Sequence, residues 1–235
     1  MTNSNRQLRR SKLIGAWAAV AAGVVSAAVV AAVVIAMPAG PVIAAETAPR
    51  GDMAPDQLVQ SVSTEVLDDI KADPALRGGD FDKLQKLIDD KVAPVVDFER
   101  MTRLSVGPGW RGATPEQRQA LMREFRTYVV RTYSGALSRV TDHVVKMRPF
   151  KALSSDTDVL VRTQVAPSNG DPIDLDYRLE KTPAGWKVYD VTILGVSMVE
   201  TFRSSFASEV NQHGIDGLIK ALADRNKQLA SGNKS

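Results

Sequence analysis

The chain has 235 residues, a formal net charge of +3 and no cysteine. Without cysteine there is no disulfide framework, and no thiolate is present to bind a metal or act as a nucleophile. With only His143 and His213, a multi-histidine metal centre cannot form. Aromatic residues make up 6% of the chain, too few to favour a surface that stacks on single-stranded nucleic acid.

The positive charge is concentrated in the first 45 residues, which contain three arginines and one lysine but no acidic residue. Residues 46–235 therefore carry a formal charge of −1, and no nucleic-acid partner is predicted. An uncharged, alanine- and valine-rich run from Leu13 to Met37 follows the basic end, and a proline-containing segment then ends in Ala44 and Ala45. This order is typical of a secretory signal peptide.

Two interpretations of this leader remain open. Residues 1–45 form a signal peptide that is cleaved after Ala44 or Ala45, or residues 13–37 stay in place as an uncleaved anchor, because their apolar run is long enough to span a bilayer. The basic end stays on the cytoplasmic side in both cases. We therefore expect residues 46–235 to lie in the periplasm.

The exported part of the chain is predicted to form one domain, because a chain of this size buries enough surface for a stable core. Residues 46–54 are predicted to be a linker and residues 55–226 the domain. The polar residues 227–235 are predicted to be a flexible tail.

The first half of the domain is predicted to be helical. Pro55 suits the first position of a helix, and apolar residues then recur at a helical spacing as far as Ile70. Two shorter amphipathic runs follow over residues 81–92 and 98–104. The glycine-rich segment 106–110 is predicted to be a loop.

The clearest helix start is the segment Thr114-Pro115-Glu116-Gln117, because its threonine and glutamine are placed to form a capping box. This helix is predicted to continue to about Val140. Two last amphipathic segments follow Gly195 and are separated by Gly214.

The second half of the domain first changes to the period of β-strands. Val144–Phe150 and Asp158–Ala166 have the composition of strands, and Ile173–Glu180 alternates apolar with charged residues throughout. A turn at Thr182–Gly185 joins this strand to a returning strand, Trp186–Leu194. We expect four antiparallel strands with one face covered by helices, which is an α+β fold.

Catalytic and metal-binding side chains are scarce. There is no Ser-His-Asp arrangement with a positioned histidine and no phosphate-binding glycine loop with its lysine, so no catalytic residue, metal or cofactor is predicted. Asp190 differs because it falls inside an apolar strand. It serves either a structural role, through a hydrogen bond or a salt bridge, or as a catalytic carboxylate paired with Tyr128, Tyr133 or Tyr177.

Three blocks of sequence resemble a known family. They are Val96–Leu104 with Gly107, Trp110 and Ala113–Gln117, then Tyr177–Leu179 with Gly185–Val191 and Gly195–Ser197, and last Phe202–Phe206 with Gly214–Ile219. In order and spacing they resemble the MlaC family of periplasmic phospholipid-binding proteins, once called toluene-tolerance proteins. The resemblance covers Pro55 to Leu222. Phe202 replaces a usual tyrosine and Val106 a usual leucine, and both keep an apolar side chain.

The resemblance implies a lipid carrier with a cone-like fold of the nuclear transport factor 2 type. In such a fold, helices wrap one curved four-stranded antiparallel sheet and enclose an internal apolar cavity. The implied ligand is a phospholipid, or a hopanoid-like lipid as in related proteins. The implied partners are an inner-membrane ABC transporter complex and an outer-membrane lipoprotein–porin complex, between which the carrier passes lipid without any cofactor.

We predict that the lipid-binding cavity lies between the inner face of the sheet and the long helix that starts at Thr114. The wall residues indicated by periodicity are Phe98, Met101, Leu121, Phe125, Tyr128, Val129, Leu175, Tyr177, Leu179, Val199, Phe202 and Phe206. Arg103, Arg178 and Arg203 are predicted to meet the lipid phosphate at the rim.

Two other functions stay open. The first is a small-molecule enzyme on a cone-like fold that uses Asp190 with a tyrosine. The second is a structural envelope protein anchored by residues 13–37.

Overall fold

The computed structural model describes residues 50–137, 140 and 142–232. The chain divides after Thr47, and all of these residues belong to the second unit, Ala48–Ser235. The predicted signal peptide and the predicted anchor segment lie outside the described residues. In the part of the chain that is described, none of the helices combines the length and the apolar character needed to cross a bilayer.

The first helix, α1 (Pro55–Ala72), begins and ends where the sequence predicts. The helix buries a stripe of residues, among them Leu58, Val62 and Ile70. Its successor, the short helix α2 (Pro74–Arg77), is capped by Asp73, whose carboxylate accepts a hydrogen bond from the backbone N–H of Ala75 at 2.8 Å. The predicted linker is also packed at its end, because Met53 is buried in the core.

The second amphipathic run is only partly α-helical. Helix α3 (Phe81–Leu87) is capped by Asp80, and the chain then forms a π-helical turn over Ile88–Val92 and a 3₁₀ turn over Ala93–Val95. Pro94 lacks a backbone N–H, so the α-helix cannot continue through it. Helix α4 (Phe98–Val106) follows.

The segment predicted to be a loop after α4 is a 3₁₀ helix, Gly107–Gly112. Gly107 ends α4 with a φ of +68°, which only glycine adopts readily, and Pro108 then supplies the fixed φ that suits a first helical turn. Glycine and proline break an α-helix, which is why a loop is predicted here, but these residues are compatible with the tighter 3₁₀ helix.

The long helix α5 (Pro115–Leu137) confirms the predicted capping box. The backbone N–H of Gln117 donates to the Thr114 hydroxyl at 3.2 Å, and the Thr114 N–H donates to the Gln117 side chain at 2.9 Å. Two otherwise unpaired backbone donors are thereby satisfied.

The sheet contains the four predicted strands and one more, all antiparallel and in chain order. The strands are β1 (Val144–Met147), β2 (Asp158–Ala166), β3 (Ile173–Thr182), β4 (Gly185–Ile193) and β5 (Val196–Ser197). The fifth strand has two residues, too few to show a periodic pattern in the sequence. It forms because Leu194 and Gly195 both take positive φ values and reverse the chain against β4.

The last helix, α6 (Met198–Gly232), is bent at Gly214, where the sequence predicts an interruption. Its helical conformation continues over residues 227–232, which were predicted to belong to a flexible tail. Polar contacts one turn apart support this end, including a hydrogen bond from the Ser231 hydroxyl to the carbonyl of Lys227 at 3.2 Å. Polarity alone therefore did not mark the end of the helix.

Two apolar clusters occupy the centre of the described structure. The sheet cluster comprises Met53, Leu58, Val59, Val62, Val95, Val159, Val161, Leu179 and Val188. The aromatic cluster, built by α4, α5 and α6, comprises Met101, Val106, Trp110, Leu121, Phe125, Val199, Phe206, Leu218 and Leu222. Val96 packs against both clusters, and α4 and α6 both contact β4. The boundary between the two clusters, here called the seam, therefore runs along β4.

Candidate functional site

The inner face of the sheet is apolar and is covered unevenly. Direct cross-strand pairs place Leu179 beside Val159, and Tyr177 beside Val161. Leu179 and Val161 are fully buried, whereas Ile173 at the start of the same strand is 38% exposed. The helices therefore cover the inner face around Leu179 and Val161 but leave its end at Ile173 exposed.

This less covered part, here called the apolar sheet end, consists of Ile173, Leu175, Ile193, Leu194 and Val196, of which Leu175 and Ile193 are partly buried and the others exposed. Ile193 pairs with Leu175 on one side and with Val196 on the other, so these side chains share a face. Leu194 is 53% exposed and Val196 is 39% exposed. Exposed aliphatic side chains grouped in this way form a candidate surface for an apolar partner or ligand.

The helical side of the candidate site is a group of four aromatic rings. The ring of Phe125 lies 4.8 Å from that of Phe202 and 5.2 Å from that of Phe206, both edge to face, and Tyr128 meets Phe202 at 5.8 Å. Phe125 is fully buried, whereas Tyr128 and Phe202 are only partly buried. The outer members of the group are therefore the ones free to contact a ligand.

The structure divides the predicted wall residues between the two clusters. Those on the helices pack in or against the aromatic cluster, whereas Leu179 and Tyr177 pack with α1 in the sheet cluster. Leu175 lies outside both clusters. The long helix therefore does not pack on Leu179 and Tyr177, because α1 provides the apolar stripe that covers this part of the sheet.

The predicted wall residues fill the space between their elements by packing against one another. Leu121, Phe125 and Leu179 have no exposed surface. The structure thus shows a closely packed arrangement of these residues, here called the closed form, in which Val96 contacts both clusters.

Two tyrosines have a raised pKa because they are buried. Burial raises the pKa of Tyr177, although hydrogen bonds with the side chains of Ser63 and Thr163 act in the opposite direction. Burial also raises the pKa of Tyr133, and the nearby Tyr128 adds to that effect. Both phenols are therefore uncharged at neutral pH.

Only two of the three predicted rim arginines lie together. Arg103 and Arg203 line one pocket of about 340 Å³, and Arg111 lines it with them. Arg178 instead hydrogen-bonds with Tyr189, whose hydroxyl donates to Asp158 at 2.6 Å. Arg111 is not among the predicted rim residues, although its place next to Trp110 in the glycine-rich segment is a usable signal.

Asp190 is buried and accepts two hydrogen bonds at the start of α6. The hydroxyl of Ser197 donates to its carboxylate at 2.6 Å, and the backbone N–H of Val199 donates at 3.1 Å. These bonds satisfy the first turn of α6 in the manner of an N-cap. The geometry favours the structural interpretation of Asp190 over the catalytic one with Tyr128, Tyr133 or Tyr177.

Replacing Asp190 with alanine is expected to lower the free energy of unfolding by about 1–3 kcal/mol, because two buried donors lose their acceptor. Urea denaturation measures this change, and Asp171→Ala at an exposed loop position is the control. A variant as stable as the wild type would contradict the capping role.

Charged groups outside the apolar regions pair with one another. On the outer face of the sheet, Arg148 lies 3.0 Å from Asp174, and Arg162 lies 3.8 Å from Asp176. Among the described residues, no group of three or more His, Asp or Glu side chains is placed to hold a metal ion.

Comparisons with known proteins agree on one family. The family model described as MlaC protein matches residues 60–224. The intermembrane phospholipid transport system binding protein MlaC of Haemophilus influenzae is 25% identical over 174 residues, covering 73% of this chain and 81% of that protein. The toluene tolerance protein ttg2D of Pseudomonas putida is 28% identical over 163 residues, covering 69% of this chain and 75% of that protein.

A solved structure is similar in both sequence and fold. The phospholipid-binding protein from Ralstonia solanacearum, determined in complex with a phospholipid, is 44% identical with a TM-score of 0.72. The match covers 74% of this chain and 98% of that protein. The predicted α+β fold class and the resemblance seen in the three sequence blocks are confirmed, and the chain belongs to the MlaC family.

Proposed function

We propose that this protein is a periplasmic phospholipid carrier that holds the acyl chains of its lipid between the inner face of the sheet and the aromatic cluster. The observation that carries the proposal is the phospholipid complex of the Ralstonia solanacearum protein, which is 44% identical to this chain and is matched over 98% of its length. The relatives are named for binding and transport rather than for a reaction, which agrees with the prediction that the chain is not an enzyme.

The energetics of lipid transfer explain why such a carrier is needed. A diacyl phospholipid exposes roughly 30 methylene groups, each costing about 0.8 kcal/mol in water, so unassisted release costs on the order of 25 kcal/mol. A protein lowers this barrier if it replaces water around the chains with apolar side chains. The apolar sheet end and the partly buried Tyr128 and Phe202 supply such side chains next to the seam between the clusters.

Entry of the lipid is proposed to begin at the apolar sheet end. Ile173 and Val196 are exposed there in the closed form, so they offer the first contact for a chain leaving a membrane or a partner. The chains then move inward along the face that carries Leu175 and Tyr177, and the aromatic side chains of α5 and α6 move apart.

The proposed partners are an inner-membrane ABC transporter complex and an outer-membrane lipoprotein–porin complex, with the carrier shuttling lipid between them. Support comes from the name of the Haemophilus influenzae relative, which describes an intermembrane phospholipid transport system. The proposed location is the periplasm, with residues 1–45 as the export signal. Sequencing the N-terminus of the mature protein tests whether the leader is removed: a start near Glu46 supports cleavage, and an intact Met1 contradicts cleavage and supports the anchor.

The carrier function predicts that delipidated protein extracts phospholipid from vesicles. The purified protein is incubated with vesicles of phosphatidylethanolamine and phosphatidylglycerol that contain a trace of fluorescent phospholipid, and the two are separated by size. We expect fluorescent lipid to elute with the protein. If all fluorescence stays with the vesicles while the protein is folded, the carrier function is wrong.

A further inference from the structure

A pocket of about 340 Å³ lies where α4, the 3₁₀ helix and α6 meet, away from the residues that form the seam. It is lined by three arginines and by a glycine-rich and apolar floor. The lining residues are Arg103, Leu104, Gly107, Pro108, Trp110, Arg111 and Arg203.

The positive charge of this pocket is hardly neutralised. Within the described residues, no carboxylate pairs with Arg103 or Arg111. The guanidinium of Arg203 lies 3.4 Å from Glu200 on the same helix, and both side chains are at least half exposed. Three guanidinium groups around one concavity repel one another, and an anion placed between them relieves this repulsion.

The backbone of the pocket packs closely on α6 at one point. At Gly107, with its φ of +68°, an added Cβ would be in ordinary van der Waals contact with Nε of Arg203, at 3.9 Å. At Gly109 an added Cβ would lie 2.9 Å from a methyl group of Val210, so the 3₁₀ helix is packed tightly on α6. A site that is already formed loses little conformational freedom when a ligand binds.

The floor of the pocket is anchored as well. Trp110 is buried, and Arg118 donates a hydrogen bond to its carbonyl oxygen at 3.2 Å. The guanidinium of Arg118 also lies 5.4 Å from the centre of the Trp110 ring. Trp110 therefore belongs to both the aromatic cluster and the pocket, and its fluorescence is suited to report on binding.

We infer that Arg103, Arg111 and Arg203 form a binding site for a phosphate group. Guanidinium groups bind phosphate oxygens through paired N–H donors, and a phosphate ester needs more than one such contact. The volume exceeds that of a bare anion and accommodates the glycerol part of a phosphate ester beside Leu104 and Pro108. Arg203 is five residues after the start of α6, about 7.5 Å along the helix from the strand that carries Val196.

In the test, delipidated protein is titrated with sn-glycerol 3-phosphate. Calorimetry and tryptophan fluorescence measure the binding during the titration. We expect saturable binding that weakens as the ionic strength rises. Arg103→Ala and Arg203→Ala are each expected to weaken it by about tenfold or more. Arg123→Ala is the matched control, because that side chain lies on α5 outside the pocket and is 67% exposed.

The inference is wrong if the wild type shows no saturable binding, or if Arg123→Ala weakens binding as much as the pocket variants do. Circular dichroism of each variant confirms that it is folded. Since the ligand in this titration is water-soluble, the result does not depend on whether the protein carries a lipid.

A second arm, which does rest on the proposed function, identifies the source of the phosphate. Protein loaded with phospholipid is titrated in the same way. If the lipid head group occupies the pocket, loaded protein no longer binds glycerol phosphate; if a separate phosphate ester is the ligand, loaded and delipidated protein bind it equally. Both results support the site, and the absence of binding to delipidated protein overturns it.

Discussion

Replacing Phe125 with alanine is expected to lower the free energy of unfolding by about 3–5 kcal/mol. Phe125 is fully buried at the centre of the aromatic cluster and meets Phe202 and Phe206 edge to face. The variant loses the transfer free energy of the ring and leaves a void, and it also loses two ring pairs worth about 0.5–1.5 kcal/mol each. Small domains have a total stability of about 5–15 kcal/mol, so a large part of it depends on this residue.

Thermal and urea denaturation measure this effect. The matched control is Phe81→Ala, which removes a phenylalanine from the first residue of α3, where it is only partly buried and lies under the guanidinium of Arg131. This control is expected to cost about 1 kcal/mol. Equal losses for the two variants would mean that the aromatic cluster is not the centre of the helical core.

Replacing Ile173 with glutamate is expected to reduce the lipid content of the protein about tenfold or more while the protein stays folded. Ile173 lies on the inner face of the sheet, at the apolar sheet end, and is 38% exposed in the closed form. A carboxylate there remains hydrated without lipid but would be desolvated beside an acyl chain, which costs about 2 kcal/mol or more. Leu175 lies two residues further along β3, and Leu175→Glu is expected to reduce the lipid content more strongly.

The control for this experiment is Val144→Glu, which makes a similar chemical change on the outer face. Val144 is 49% exposed, and its neighbour Val145 is the residue that pairs with Val165 on the inner face. Phospholipid is extracted from equal amounts of each variant and quantified. Equal lipid content in Ile173→Glu and Val144→Glu would show that the inner face does not hold the acyl chains.

Local sequence signals predicted most of the elements. Pro55 and the spaced apolar residues after it marked α1, and Thr114 with Gln117 marked the start of α5, because each signal depends only on neighbouring residues. The alternation after Ile173 likewise revealed β3 and its buried face. The sequence did not predict β5, because two residues are too few to show a periodic pattern.

Contacts between distant elements were harder to predict. Periodicity shows that Leu179 and Phe125 are both buried, but it does not show which residues cover them. The structure assigns Leu179 to the sheet cluster with α1 and Phe125 to the aromatic cluster. The same limit applies to the arginines: Arg103 and Arg203 share a pocket because α4 packs on α6, whereas Arg178 lies beside Tyr189.

The most direct test of the carrier function is native mass spectrometry of the protein purified without detergent from the cells that produce it. We predict a species heavier than the protein by the mass of a bound phospholipid, and solvent extraction of the same sample should release that phospholipid. A spectrum that repeatedly contains only the protein's own mass, with no extractable lipid and no uptake from vesicles, would contradict the account.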